Sequence, residues 1–143
     1  MKYTNEYLLS HDIDWFFFIN KKYIHVASAG GIIPEQINDI DKLRNIQRKV
    51  FELPSIFEEG EIILNEAFLD NRFNNNIYGE HQRSNYLRSF MDMARKGFIS
   101  LDRTNLNNWE DNTYHIVCMP PKHNSLEELQ EIFKVELLEE PFN

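Results

Sequence analysis

The segment 15–28, WFFFINKKYIHVAS, limits the possible folds more than any other stretch of the chain. Residues 15–19 and 22–28 are rich in aromatic and β-branched side chains, and they flank Asn20 and Lys21, a pair suited to a two-residue reversal. With that pair as the turn, Trp15 faces Val26, Phe16 faces His25, Phe17 faces Ile24 and Phe18 faces Tyr23. Strand alternation then sends Trp15, Phe17, Ile19, Ile24 and Val26 to one side, and Phe16, Phe18, Tyr23 and His25 to the other. The first side carries no polar tip and is expected in the core. The second is expected to remain partly accessible, above all at Tyr23 and His25, and to form an interaction surface, because rings with polar tips are enriched where proteins meet. A hairpin covered on both faces is the competing expectation.

Beyond the hairpin, residues 29–31 (Ala-Gly-Gly) read as a turn. They are not a phosphate loop, since neither glycine-rich phosphate pattern surrounds them. Over 41–53, Leu43, Ile46, Val50 and Phe51 recur at helical spacing, with Asn38 or Asp39 as caps and Pro54 as a stop. The apolar run inside 61–68 reads as a strand. Residues 80–96 form an amphipathic helix with Tyr86, Leu87, Phe90, Met93 and Ala94 on one face, and Gly97 is expected to end it in a left-handed conformation. Two strands, 98–102 and 113–119, are expected to pair across a long polar loop. Ser125 and Glu128 form a capping box before a helix over 125–137. The order β-β-α-β-α-β-β-α predicts a single α+β domain over 1–143, an antiparallel-rich sheet with about three helices packed mainly on one side.

A net charge of −8 argues against nucleic acid as a partner, because phosphate binding needs a basic surface. The lone Cys118 cannot form an internal disulfide, which suggests a reducing compartment, and no apolar leader or spanning run is visible. A cytoplasmic protein without membrane contact is expected.

Candidate chemistry is sparse. Cys118 could act as a nucleophile only with an imidazole nearby, and His115, an odd number of residues away, would point to the opposite face of a regular strand. His25, His115 and Asp102 offer ligand types for a metal but no metal-binding spacing, so neither metal nor cofactor is expected. Glu58, Glu59 and Glu61 surround Gly60 in a solvated loop, and Asp102 and Thr104 suit turn caps. Arg83 lies near the start of its helix, where a cation is disfavoured; a carboxylate of a ligand or partner would explain it, but a stem covering the edge of the core is the favoured expectation.

The first functional expectation is a small soluble binding or regulatory protein acting on a protein partner through Phe16, Phe18, Tyr23 and His25. An inhibitor or immunity-type protein is one concrete form of that reading, and self-association stays open. The second expectation is a small enzyme or ligand-binding domain with a pocket at Arg83, Asp102, His115 and Cys118, together with His25. Its mark would be a deep cleft holding Arg83 and at least two of the other four.

Overall fold

In the computed structural model, residues 1–73, 77–110, 113–121 and 138–139 are described. The aromatic hairpin forms in the expected register, as β1 (Asp14–Ile19) and β2 (Lys22–Ala27). Asn20 and Lys21 both take positive φ, 49° and 61°, as a two-residue turn matched to strand twist requires.

The remaining strands are β3 (Ile63–Leu64), β4 (Ile99–Arg103), β5 (Tyr114–Met119) and β6 (Leu138–Glu139). Together they form one six-stranded sheet in the order β3-β5-β4-β2-β1-β6. The expected pairing of the two later strands is present as β4 and β5, but the sheet is mixed: β2 pairs with β4 in parallel, as β1 does with β6. Parallel neighbours need a crossover, and β2 reaches β4 through more than 70 residues that include three helices.

Those helices are α2 (Ile40–Phe51), α3 (Glu66–Arg72) and α4 (Ile77–Arg95), preceded near the N-terminus by a short α1 (Asn5–Ser10). Asp39 caps α2 by accepting from the Lys42 N–H. The run read as a strand over 61–68 is mostly something else. Only Ile63 and Leu64 pair, and Asn65 then caps α3 by accepting from the Phe68 N–H. At the end of α4, Gly97 has φ of 102°, its N–H donates to Ala94 O, and the Phe98 N–H donates to Met93 O. This is the paired hydrogen-bond closure that a left-handed glycine permits. The helix expected over 125–137 lies outside the described residues.

The sheet separates two apolar clusters. Towards α4, Phe16, Tyr23, Phe98, Val117 and Cys118 pack with Leu87, Phe90, Met93 and Ala94 of α4 and with Ile46 and Val50 of α2. On the other side Trp15, Phe17, Ile24 and Val26 pack with Leu8, Ile33, Ile37 and Leu43, as expected for the side without polar tips. Full burial of one such side chain stabilises by about 1.5–3 kcal/mol, so both faces of the hairpin hold the fold together. Among the described residues no helix is long and apolar enough to cross a membrane.

Candidate functional site

Burial decides the fate of the expected interaction surface. Phe16 lies in the core, Tyr23 is 6% exposed, His25 is 1% exposed and Phe18 is half-buried. The partly accessible aromatic face is therefore corrected to an interior face, because α4 and Phe98 lie over it. The rings of Phe16 and Tyr23 each meet Phe98 edge-on, and Phe90 contacts His25.

The same face changes character towards one end of the sheet. In strand register, Asp14 lies beside Ala27, Ala27 beside Asp102, and Asp102 beside His115. The next row is Phe16, His25, Ser100 and Cys118. Directly paired residues share a face, so polar groups from four strands gather where β2 and β4 end. A bulge between Ser100 and Leu101 makes this possible. It sets Cys118 opposite Ser100 and His115 opposite Asp102, so the two lie on one face and the expectation from odd spacing is corrected.

His25 ties three strands and a helix together. Its Nε2 lies 2.8 Å from Asp14 Oδ1 and its Nδ1 lies 3.0 Å from Ser100 Oγ, which in turn donates to Phe90 O of α4 at 3.1 Å. Asp14 is also held from behind, since Gln47 of α2 donates to its carbonyl at 2.7 Å. The Asp14 side chain is 35% exposed, so one of its oxygens is fixed by His25 while the carboxylate still reaches the surface.

Asp14 stands where two hollows adjoin. One, of about 160 Å³, is lined by Asp14, His25, Ser55, Ser89, Asp92 and Lys96. The other, of about 260 Å³, runs past Tyr3, Tyr7, His11, Asp12, Arg44 and Gln47. Asp14 and Phe51 line both. The ring of Tyr7 stacks on His11 at 3.7 Å and on Tyr3 at 4.8 Å, which makes an aromatic column along α1. Asp12 accepts from the Ala29 N–H at 2.8 Å. Desolvation of its carboxylate raises its pKa above the ordinary value, helped by Asp14 and Asp102 and opposed by the Ala29 bond. Lys96 donates to Val50 O and Phe51 O and so closes the C-terminus of α2, and burial lowers its pKa.

Further along the row, Asp102 is buried and its oxygens are occupied. Oδ1 accepts from the Arg103 N–H at 2.9 Å and Oδ2 from the Tyr86 O–H at 2.5 Å. Burial, reinforced by the Asp102 charge, raises the Tyr86 pKa well above that of a free phenol. Arg72 of α3 comes within 3.8 Å of Asp102 Oδ2. His115 contacts the Phe68 ring at 3.8 Å between centroids, and burial lowers its pKa, with Arg72 adding to the effect and Asp102 opposing it.

Of the pocket expected from the sequence, the structure brings together Asp102 and His115, with His25 in the neighbouring row. Arg83 is not among them. It bonds Glu66 at 2.6 Å and Asp70 at 3.1 Å, so the carboxylates it needs come from α3. Since α4 begins at Ile77, Arg83 also lies beyond its first turn. Cys118 is fully buried, and burial pushes its pKa up to about 12, which keeps it a thiol and unsuited to nucleophilic attack at neutral pH. The sequence reading missed Asp14, Tyr86 and Arg72. Asp14 stands one residue before the aromatic run, and hairpin register alone would have placed it one step diagonally from His25. Among the described residues no group of three or more His, Cys, Asp or Glu is arranged to hold a metal. Comparison with family models, with curated proteins and with solved structures finds no match to this chain.

Proposed function

We propose that this chain is a binding protein whose recognition groove lies along α1, α2 and the start of β1, and that it receives a cationic group, ammonium or guanidinium, on Asp14. The observation that carries the reading is the position of Asp14: one oxygen is held by His25, the side chain is 35% exposed, and the residue lines both adjoining hollows. A pre-oriented carboxylate loses little freedom when a cation arrives. Asp12 adds a second acceptor, and the rings of Tyr7 and Phe51, 37% and 52% exposed, offer apolar walls for an alkyl stem.

Charge favours the same ligand class. Of the two basic side chains along the groove, Lys96 is spent on the carbonyls of α2, which leaves Arg44 on the rim against Asp12, Asp14 and Asp92. The chain as a whole carries −8, which draws basic partners by long-range attraction. A free amine and a basic side chain of a protein would present the same chemistry. Calorimetric titration with agmatine and with an arginine-glycine repeat peptide separates the two sources. Binding of either probe that weakens with salt and is lost in Asp14→Asn supports the groove, and the tighter probe names the source. Equal binding by Asp14→Asn, or no binding of either probe at millimolar concentration, refutes the reading.

A further inference from the structure

At the other end of the polar row, two groups keep hydrogen-bonding capacity unused among the described residues. The guanidinium of Arg72 lies 5.1 Å from the Tyr86 ring centroid and 5.6 Å from that of Phe68, and its nearest carboxylate, Asp102, is 3.8 Å away, beyond hydrogen-bond distance. Among the described residues Arg72 makes no hydrogen bond. His115 bonds through Nδ1 to Thr104 Oγ1 at 3.0 Å, while its Nε2 is buried without a partner. Leaving such a group unsatisfied costs about 1–3 kcal/mol, which an incoming acceptor would recover. The imidazole and the guanidinium both contact the Phe68 ring.

From this arrangement we infer that Arg72 and the Nε2 edge of His115 form a second site, for a small organic carboxylate whose body packs on Phe68. Each oxygen of Asp102 accepts one hydrogen bond, from the Arg103 N–H or the Tyr86 O–H, and Arg72 stands 3.8 Å from Oδ2, so the guanidinium donors are not bonded to that carboxylate and can serve another acceptor. A planar, singly charged carboxylate matches that fork in two parallel bonds. A phosphate dianion would meet stronger repulsion from buried Asp102. In the tautomer whose Nδ1 accepts from the Thr104 hydroxyl, the Nε2 of His115 carries the N–H that a carboxylate oxygen accepts. The site is independent of the Asp14 groove.

Benzoate is the probe, followed through the ring resonances of His115 and the Nε–H of Arg72 by NMR. Saturable shifts of both in the millimolar range are expected, with none from benzylamine, which has the same ring and the opposite charge. Arg72→Gln should abolish the shifts, and Arg72→Lys, which keeps the charge without the fork, should weaken binding about tenfold. Asp14→Asn should leave them unchanged. Spectral dispersion checks that each variant is folded, and the lysine variant serves if the glutamine one is not. The inference is overturned if benzoate leaves His115 unmoved, if Arg72→Gln or Arg72→Lys binds like the parent, or if inorganic phosphate binds as tightly as benzoate.

Discussion

Among the described residues Arg103 makes the most side-chain hydrogen bonds, and its replacement is the sharpest test of how the polar end of the sheet is held. The side chain is 2% exposed, and it donates from Nε to Ser28 O at 3.0 Å, from Nη1 to Asn105 O and Asn108 O at 2.7 Å each, and from Nη2 to Ala29 O at 2.9 Å. One guanidinium thus joins the turn after β2 to the loop after β4. Hydrogen bonds to a charged group contribute about 1.5–3 kcal/mol each, but freed loop carbonyls can turn to water, so the four do not simply add. Arg103→Met leaves no charge unpaired, only carbonyls that lose their donor, and the net loss of about two such bonds gives an expected cost of about 3–5 kcal/mol. For a domain of this size the melting temperature should fall by roughly 10–20 °C. Arg103→Lys should recover only part of the loss, since one ammonium cannot reach carbonyls on two separate segments. Gly31 supplies an internal control: a Cβ there would press on Arg103 Nε and lie 2.6 Å from its Cδ. Gly31→Ala should cost about 1–3 kcal/mol in the parent and clearly less in the Arg103→Met background, where the thioether chain is more pliable than the anchored guanidinium. Thermal and urea unfolding of the four-member cycle would measure both effects. An Arg103→Met protein melting within about 2 °C of the parent, or strictly additive losses, would refute the reasoning.

Replacing Gly97 with Val should destabilise the fold by about 1 kcal/mol or more, because a β-branched residue resists φ of 102°, and an unchanged urea midpoint would count against the helix closure. For Cys118, whose folded pKa is raised to about 12, the stabilising contribution is complete below the ordinary thiol pKa of about 8.5 and is lost as pH rises towards 12. A thiol reagent at pH 8 should therefore modify it only as fast as the chain opens, and rapid labelling of the folded protein would contradict its burial.

The hairpin was readable because its turn and its register depend on local residues alone: Asn20 and Lys21 adopt positive φ, and every pairing from Trp15 to Phe18 follows by counting. Which face stays open was not readable. Both faces are apolar, and the choice rests on Phe90 and Phe98, more than 60 residues away, lying over His25 and Tyr23. The parallel pairing of β2 with β4 was hidden for a related reason, since strand direction is set by a crossover path and not by the composition of either strand. Spacing failed at β5 as well. Alternation separates His115 from Cys118, and a bulge that no residue in the sequence announces brings them to one face. Within the site, Asp102 and His115 were found as candidates by type, whereas Arg72 carried no signal, because α3, which places it against Tyr86, was not read from the sequence.

The polar row also explains how the two proposed sites, of opposite charge preference, fit along one short end of the sheet. Asp14, Ala27, Asp102 and His115 are successive neighbours across β1, β2, β4 and β5, so Asp14 and His115 stand three strand spacings apart, about 14 Å. That exceeds the screening length of about 8 Å at physiological ionic strength, and residues so separated couple weakly. Between them, Ala27 contributes no polar group, and the negative charge of Asp102 is met by Tyr86, the Arg103 N–H and Arg72. A cation on Asp14 therefore faces a carboxylate held by His25, while an anion on Arg72 faces a carboxylate already occupied. Arg103 keeps the two arrangements in register from the other face, where it locks the segments that follow β2 and β4. The sheet thus sets the distance, and the hydrogen-bond partners of Asp14 and Asp102 set which charge each proposed site would accept.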